Sequence, residues 1–322
     1  MFKFWCERKI PDEYALLLGN EAEYIGSAND HASDPYAALA PAQAIIAGAR
    51  IPYNAEFMVR APELKIICRT GIGYDNVDLD DATAHGVCVC NTPDAPTRST
   101  AEHAITLMLS VAKELKRNDR ELRRRNVTDF FGANRGIEIE GRSLGLVGLG
   151  RIGAQVATMA RALGMTVTAY APYVDDARLA DLGVERAVNV EAAVSGKDVV
   201  SLHAPLTQET RHLINCNTLA LMQPGAILIN AARGGLVDEG ALLEALDSGH
   251  LHGAGLDTFD PEPPPADNPL LDRDDVIATP HIAAVTLQGK KRMWSQAIAQ
   301  CLQVLRGERP PHLLNAAVWE KR

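Results

Sequence analysis

The sequence has few of the features that mark secreted, membrane-spanning or metal-binding proteins. No apolar run reaches the roughly 18 residues of a membrane helix, and residues 1–8 lack the apolar core of a signal peptide. The chain has only six cysteines and no C-x-x-C pair, which argues against a zinc knuckle or a thioredoxin-type motif. No spacing of His, Cys, Asp and Glu suggests a metal site. We therefore expect a cytoplasmic protein with no metal and no membrane partner.

An excess of positive charge is also missing. The 322 residues include 32 Lys and Arg against 41 Asp and Glu, a net charge of −9, which argues against a nucleic-acid surface as the main role. No G-x-S-x-G motif is present, so a hydrolase of that type is not indicated. The length predicts about two domains with cores of ordinary size.

The most informative stretch is a glycine motif between a predicted strand and a predicted helix, residues 143–163. Gly148, Gly150 and Gly153 form G-x-G-x-x-G, and a second strand is predicted over 166–170. In such a βαβ unit the glycines allow a tight turn, close approach of the backbone to a pyrophosphate, and close packing of helix on strand. The helix N-terminus offers free N–H groups to the phosphates. This order predicts a dinucleotide site, and a purely structural turn is the alternative.

Short apolar runs alternate with helical stretches on both sides of this motif. Before the motif, strands are predicted over 42–47, 64–68 and 87–90, with helices over 54–59 and 79–85. After the motif, further strands are predicted over 198–202, 226–230, 254–257 and 276–278, with a helix over 239–248. The alternation predicts an α/β protein with two doubly wound parallel sheets, the second larger. We expect the last helix, 293–305, to pack back on the first domain.

A long helix is predicted over residues 99–125, apolar in its first half and basic in its second. The basic half suggests either a nucleic-acid patch or a solvated face that contacts another subunit. Aromatic residues do not interleave with the charges and the chain is acidic, so the second interpretation is favoured.

Three polar side chains follow predicted strands of the second sheet, at the edge where open α/β sheets bind ligands. Arg233 follows strand 226–230 and can clamp a carboxylate through its planar fork, although a capping or salt-bridging arginine is the alternative. His281 follows strand 276–278, and a histidine titrates near neutrality, so it can give and take a proton, although an ordinary surface or core histidine is the alternative. A carboxylate such as Glu262 beside it would fix its tautomer and favour its protonated form.

Other motifs leave alternatives open. The two glycines in residues 69–76 either direct backbone N–H groups towards an anion or form a plain turn. His203, Ala204 and Pro205 either shape the adenosine side of a cofactor groove or simply end a strand. Asp257 either binds a nicotinamide amide or caps a helix.

The motifs in this order resemble those of the D-isomer-specific 2-hydroxyacid dehydrogenase family. The resemblance covers nearly the whole chain and rests on Gly148-x-Gly150-Arg-Ile-Gly153, His203-Ala-Pro-Leu206, Asn230-Ala-Ala-Arg233, Gly255-Leu-Asp257 with Glu262-Pro263, and Thr279-Pro-His281. The phosphoglycerate dehydrogenase-like branch is the most similar, through Arg69-Thr-Gly-Ile-Gly-Tyr-Asp-Asn-Val77 and Ser99-Thr-Ala-Glu-His103. We expect no C-terminal regulatory domain of the kind that follows in longer phosphoglycerate enzymes.

The resemblance implies a Rossmann cofactor domain, residues 99–287, inserted into a flavodoxin-like substrate domain, residues 1–98 and 288–322. It implies that Arg233 binds and polarises a 2-oxoacid, that His281 protonates the carbonyl oxygen, and that Glu262 keeps His281 protonated. It implies that the backbone at Ile72 and Gly73, with Arg233 and His281, binds the substrate. It also implies a homodimer whose cofactor domains pair through the helix near 99–125.

The cofactor implied is NAD, with NADP as the alternative. The implied cofactor-binding residues are Thr100, Gly148, Gly150, Arg151, Ile152, Gly153, Ala171, His203, Ala204, Pro205, Ala231, Arg233, Asp257 and His281.

The chain departs from the family pattern where a carboxylate should bind the adenosine ribose. That carboxylate is expected after strand 166–170, where this chain has Tyr170-Ala171-Pro172. Its loss removes a repulsion against a 2′-phosphate, but Asp175 and Asp176 precede Arg178, so NAD stays favoured over NADP. Near the expected substrate mouth the chain offers one arginine, Arg50, which leaves a phosphorylated substrate open.

The sequence therefore predicts an NAD(P)-dependent oxidoreductase that acts on a D-2-hydroxyacid or 2-oxoacid of the glyoxylate, hydroxypyruvate or 3-phosphoglycerate type. Two alternatives share the fold. One is a nucleotide-sensing binding protein that resembles the C-terminal-binding-protein corepressors, and the other is a formate- or phosphite-type dehydrogenase.

Overall fold

The computed structural model describes residues 1–30, 34–125, 132 and 134–320. The chain divides into two compact units. Unit 1 comprises residues 1–96 and 285–322, and unit 2 comprises residues 97–284. Helices and strands are numbered below through the whole chain.

Unit 1 is built on a parallel sheet of five strands within the described residues. The strands are β1 (Phe2–Cys6), β2 (Ala22–Ser27), β3 (Ala44–Ala47), β4 (Ile66–Arg69) and β5 (Cys88–Cys90), in the order β2-β1-β3-β4-β5. The helices are α1 (Asp12–Ala15), α2 (Ala55–Val59), α3 (Leu79–Ala84) and α12 (Leu287–Leu305). Local signals start two of them, since the side chains of Asn54 and Asp78 accept hydrogen bonds from backbone N–H groups in the first turns of α2 and α3.

Both faces of this sheet are buried, as in parallel sheets generally. Alternate residues of one strand enter different cores: Ala44 and Ile46 of β3 pack with α12, whereas Ile45 packs on the opposite face around Trp5 and Tyr53. Helix α12 packs against β3, β4 and β5, which confirms that the last helix returns to the first domain. It begins at Leu287, six residues before the predicted start.

Unit 2 contains a larger parallel sheet of seven strands within the described residues. The strands are β6 (Ser143–Val147), β7 (Thr166–Tyr170), β8 (Glu185–Arg186), β9 (Val199–Leu202), β10 (Ala226–Asn230), β11 (Leu251–Leu256) and β12 (Val276–Ala278). The helices are α4 (Thr97–Ala112), α5 (Leu115–Arg124), α6 (Arg151–Ala162), α7 (Asp176–Leu182), α8 (Val190–Val194), α9 (Cys216–Leu221), α10 (Glu239–Asp247) and α11 (Pro269–Asp272).

The strand order of unit 2, β12-β11-β10-β9-β6-β7-β8, sets the position of a switch point and of a shared edge. The order reverses between β6 and β9, which makes the switch point where doubly wound sheets bind nucleotides. Strands β10, β11 and β12 are neighbours, so the residues that follow them share one edge. The prediction of two doubly wound parallel-sheet α/β domains is confirmed.

The predicted single helix over 99–125 is wrong. Helix α4 ends at Ala112, and Glu114 adopts the left-handed backbone conformation, with φ +49°. The Ala112 carbonyl accepts a hydrogen bond from the Ile137 N–H at 2.8 Å, and the Glu114 carboxylate accepts one from the Arg135 N–H at 2.8 Å. The first contact occupies the carbonyl that would accept the next helical hydrogen bond, and α4 ends there; the second holds the Glu114 side chain on the same distant segment.

The basic part of the predicted helix is therefore a separate element, α5. Lys116 donates to the carbonyls of Leu271 and Val276, both at 2.9 Å, and Arg120 pairs with Asp274. Part of the basic charge is thus used to hold α5 on unit 2. Three strands, β1, β2 and β8, have no counterpart in the prediction, which placed no strand before residue 42 and none between residues 170 and 198.

Candidate active site

The glycine turn between β6 and α6 has three glycines with different surroundings. Gly148 has a φ of +100°, and a Cβ there would lie 2.6 Å from the His203 carbonyl oxygen. A Cβ on Gly153 would lie 2.3 Å from the Gly148 carbonyl oxygen. A Cβ on Gly150 would meet no atom within 4 Å. Gly148 and Gly153 are therefore needed for the turn itself, whereas the space in front of Gly150, at the start of α6, is open to a ligand such as a pyrophosphate.

His203 lies across this turn, directly after β9. Its Nε2 is 2.9 Å from Ser201 Oγ. Burial lowers the pKa of His203 to about 4, so its imidazole is neutral near neutral pH and adds no charge to the turn. The following Ala204 is partly buried and Pro205 is exposed.

The loop after β7 lacks the carboxylate that usually binds a ribose, and its shape is fixed by one arginine. Arg186 donates to the carbonyls of Ala171, at 3.2 Å, and Val174, at 2.6 Å, and pairs with Asp176 at 2.7 Å. Ala171 itself is only 4% exposed and packs in the core of unit 2. The guanidinium of Arg186 is thus bound to the loop backbone.

The remaining predicted cofactor residues of unit 2 fall into two groups. Thr100 and Ala231 are buried, at 6% and 8% exposure, whereas Arg151 is exposed at the start of α6 and Ile152 is partly buried beside it. Their roles towards a cofactor stay predictions.

His281 and Glu262 form a hydrogen-bonded pair at the end of the β10–β12 edge. The distance between His281 Nδ1 and Glu262 Oε1 is 2.6 Å. The two side chains are 37% and 39% exposed, so the pair is open to a ligand. A carboxylate on Nδ1 requires a proton on that nitrogen, which leaves Nε2 as the nitrogen that can exchange a proton with a substrate.

The turn that carries His281 is held by a buried carboxylate. His281 has a left-handed φ of +55°, which is uncommon for a residue with a side chain. Its N–H donates to the Asp257 carbonyl at 2.8 Å, and the fully buried Asp257 carboxylate accepts from the N–H groups of Ile282 and Ala283 at 2.9 and 2.8 Å. Asp257 therefore caps this turn and lies at the end of no described helix.

Two further residues, Thr279 and His103, complete this support. Thr279 Oγ1 donates to Asp257 Oδ1 at 2.6 Å, and His103 Nε2 lies 3.0 Å from Thr279 Oγ1. Burial tends to raise the pKa of Asp257. Contacts with His103 Nε2, 3.5 Å from Asp257 Oδ1, with Thr279 and with the two backbone N–H groups outweigh burial and hold the pKa below its usual range. The signal in the sequence was the position of Thr279, two residues before His281.

Arg233 lies in a turn directly after β10, the strand next to β11. The side chain of buried Asn230 ties this turn together, because its amide donates to the Arg233 carbonyl at 2.9 Å and its oxygen accepts from the Ala232 N–H at 3.1 Å. Arg233 Nη1 donates to the Ala232 carbonyl at 2.7 Å. A Cβ on Gly234 would lie 2.0 Å from the Phe259 backbone, so the Arg233 turn packs directly on the segment that leads to Glu262.

The predicted carboxylate-binding loop, with Ile72 and Gly73, belongs to unit 1 and follows β4. Asn91 donates to the Ile72 carbonyl at 2.7 Å, and Thr92 Oγ1 accepts from the Gly71 N–H at 2.8 Å. Among the described residues of unit 1, the N–H groups of Ile72 and Gly73 have no hydrogen-bond acceptor. The loop therefore presents two neighbouring donors on a backbone whose shape is fixed by buried side chains after β5.

In the parts of the chain that the structure describes, no three His, Cys, Asp or Glu side chains lie close enough to hold a metal ion. No helix within residues 1–30, 34–125 and 134–320 is long and apolar enough to cross a membrane.

The fold and this edge define a two-domain α/β protein with a Rossmann-type nucleotide-binding unit. Residues 105–283 match the NAD-binding domain of the D-isomer specific 2-hydroxyacid dehydrogenases. The chain belongs to this family, as its motif order predicted.

Known proteins of related sequence carry several names. The D-3-phosphoglycerate dehydrogenase of Mycobacterium tuberculosis is 39% identical over 307 residues, 95% of this chain and 57% of that protein. This chain thus spans little more than half the length of that relative. The glyoxylate reductase of Korarchaeum cryptofilum is 40% identical over 277 residues, 84% of this chain and 82% of that protein.

A solved structure with bound ligands is also similar. The D-lactate dehydrogenase from Aquifex aeolicus, complexed with NAD and lactic acid, superposes with a TM-score of 0.85 at 28% identity, over 97% of this chain and 99% of that chain.

The unequal surroundings of the glycines give a test of the nucleotide site. We expect Gly150→Ala to leave the melting temperature nearly unchanged, because its Cβ enters open space, but to weaken NADH binding at least about tenfold by blocking approach of the pyrophosphate. Gly148→Ala should instead lower the melting temperature, because its Cβ meets backbone at 2.6 Å. Calorimetry and NADH titration of both variants measure this. Normal NADH affinity in Gly150→Ala would contradict the site.

Proposed function

We propose that the chain is an NAD(P)-dependent D-2-hydroxyacid dehydrogenase that reduces a small 2-oxoacid, or oxidises the corresponding hydroxyacid. The observation that carries the proposal is the 2.6 Å pair of His281 and Glu262 at the edge of a Rossmann sheet. An imidazole open on one side and bound by a carboxylate on the other is suited to donating one proton per turnover. Family membership and the names of the relatives support the same chemistry.

Each side chain of the edge has a distinct role in this proposal. The glycine turn at Gly150 would hold a nicotinamide cofactor, which would supply or accept the hydride at C2 of the substrate. His281 donates its Nε2 proton to the carbonyl oxygen during reduction and takes it back during oxidation. Glu262 accepts the Nδ1–H of His281 and stabilises the charged imidazolium. The guanidinium of Arg233 binds the oxoacid and polarises its carbonyl group.

The cofactor and substrate assignments follow from the same residues. We place NAD first, because the guanidinium of Arg186 is bound to the loop backbone after β7. NADP is second, because no carboxylate stands at position 171 to repel a 2′-phosphate. The free N–H groups of Ile72 and Gly73 are assigned to the substrate carboxylate. Glyoxylate, hydroxypyruvate and phosphohydroxypyruvate are the candidate oxoacids.

Domain roles and assembly belong to the same proposal. We assign residues 1–98 and 288–322 to a substrate domain and residues 99–287 to a cofactor domain. A homodimer that pairs through the region of α4 and α5 is supported by Leu115 and Leu122, which are 53% and 65% exposed on a helix without buried residues. Six free cysteines, five of them buried, support a reducing compartment such as the cytoplasm.

A panel of 2-oxoacids tests the activity. Glyoxylate, hydroxypyruvate and phosphohydroxypyruvate are each offered with NADH and with NADPH, and turnover is followed by loss of near-ultraviolet absorbance. We expect robust turnover on at least one, and a loss of about 10²-fold or more in His281→Ala with normal cofactor affinity. Cofactor binding without turnover on any oxoacid would favour the corepressor-like alternative. Oxidation of formate or phosphite alone would favour a formate- or phosphite-type dehydrogenase.

Arg233→Lys keeps the charge but removes the planar fork. We expect kcat/KM to fall by roughly one to two orders of magnitude, because a hydrogen bond to a charged group is worth about 1.5–3 kcal/mol. KM for the oxoacid should rise, while the dissociation constant of NADH stays the same. The matched control is Arg309→Lys, at an exposed position of unit 1. Near-normal steady-state kinetics would remove Arg233 from the site.

Glu262→Gln removes the negative charge beside His281 and keeps the shape. Reduction needs the imidazolium, so activity is lost as pH rises and the imidazole loses its proton. Without the carboxylate the imidazolium is less stable, and we expect the alkaline limb of kcat/KM to move to lower pH. Glu191→Gln, exposed on α8, is the control. An alkaline limb at the wild-type pH would refute the proposed pairing.

A further inference from the structure

The loop that carries Glu262 is attached at both ends to one side chain. The N–H of Asp260 donates to Glu239 Oε1 at 3.0 Å, and the side-chain amide of Asn268 donates to Glu239 Oε2 at 2.8 Å. Both oxygens of Glu239 are therefore used to hold residues 260 and 268, on either side of Glu262.

The loop between these two attachment points has little backbone freedom. It contains Pro261, Pro263, Pro264 and Pro265, and Glu262 lies between the first two. Each proline fixes its own φ near −65° and restricts the residue before it. Fixing both ends of such a segment therefore also fixes the direction of the Glu262 side chain, because few backbone torsions between the ends remain free.

Glu239 is itself well placed to act as a fixed point. It is the first residue of α10, which starts where the Asp238 side chain accepts from the N–H groups of Gly240 and Ala241 at 3.0 and 3.2 Å. The Arg233 turn leads into α10 through the 3-10 helix Gly234–Leu236. Glu239 therefore links the element that follows the Arg233 turn to the loop of Glu262.

Other charged groups touch the same loop. Arg211 Nη1 pairs with Asp260 Oδ2 at 2.7 Å, but this pair is half exposed, at 51% and 40%, and exposed pairs contribute little. Glu262 itself pairs with His281. Among these groups Glu239 alone bonds to the backbone of the loop.

We propose that Glu239 is a positioning residue for the acid–base pair, holding Glu262 in hydrogen-bond reach of His281. This rests on the proposed function, in which the pair transfers the proton. The competing explanation is that Glu239 only stabilises α10, since an acidic residue in the first turn of a helix interacts favourably with the helix dipole. The two explanations differ in whether the effect of Glu239 depends on Glu262.

A double-mutant cycle separates them. Glu239→Ala is made in the wild type and in Glu262→Gln, with Glu244→Ala, an exposed position on the same helix, as the matched control. In the wild type we expect Glu239→Ala to lower kcat/KM about tenfold, part of the 10²–10⁴-fold that a positioned acid–base group contributes. The alkaline limb should move to lower pH, in the direction of Glu262→Gln. In the Glu262→Gln background the same change should alter kcat/KM less than about twofold.

A conservative variant keeps the proposal testable if the alanine variant does not fold. Glu239→Gln keeps an oxygen for the Asp260 N–H, so it should retain most of the wild-type kcat/KM and its pH profile. Melting temperatures of all variants are measured beside the kinetics.

The outcomes test the positioning role of Glu239 and the proposed function separately. Equal losses from Glu239→Ala in both backgrounds, or a loss without a shift of the alkaline limb, would assign Glu239 to α10 alone and overturn the proposal. Unchanged kinetics in Glu239→Ala would overturn it too. If Glu262→Gln itself leaves the pH profile unchanged, that result contradicts the acid–base pair of the proposed function. The positioning role of Glu239, which depends on that pair, is then contradicted as well.

Discussion

The buried carboxylate of Asp257 is the constraint on which the geometry of the candidate site depends. A charged group with no exposed surface is costly unless it is fully hydrogen-bonded, and here Thr279 and the N–H groups of Ile282 and Ala283 supply the donors. These donors lie on both sides of His281. The hydrogen bonds to this one carboxylate therefore hold the left-handed turn that presents the imidazole at the edge of the sheet.

Strand pairing and close backbone packing bring the segments that carry Arg233 and Glu262 to the same edge as His281. Arg233 follows β10, Glu262 follows β11 and His281 follows β12, so parallel pairing of three neighbouring strands brings the three segments to one edge. The bare backbone of Gly234 lets the first segment pack on the second, and the 2.6 Å hydrogen bond joins the second to the third. The site is built in unit 2 by consecutive strand ends held against each other.

Much of this was predictable from the sequence because it depends on local patterns. Short apolar runs, the glycine motif and polar residues after strands predicted most strands of both sheets, the nucleotide turn and the pairing of His281 with Glu262. The break after Ala112 was not predictable in this way. It depends on Ile137, 25 residues further along the chain, whose N–H takes the carbonyl that would have continued the helix. Strands β1 and β2 lie in a stretch whose apolar runs are interrupted by charged residues.

The supporting side chains were hidden from sequence reasoning for a related reason. His103, Thr279 and Glu239 contribute through hydrogen bonds to residues 21 to 176 positions away. Thr279 lies two residues before His281, but no neighbouring residue in the sequence shows that His103 or Glu239 supports the site. A residue that reacts must carry a particular chemistry, which narrows the candidates in a sequence to a few histidines and arginines. A residue that orients another needs only one oxygen or nitrogen at the right place, and many side chains offer that. Positioning groups therefore emerge only when the fold has fixed which distant chain segments meet.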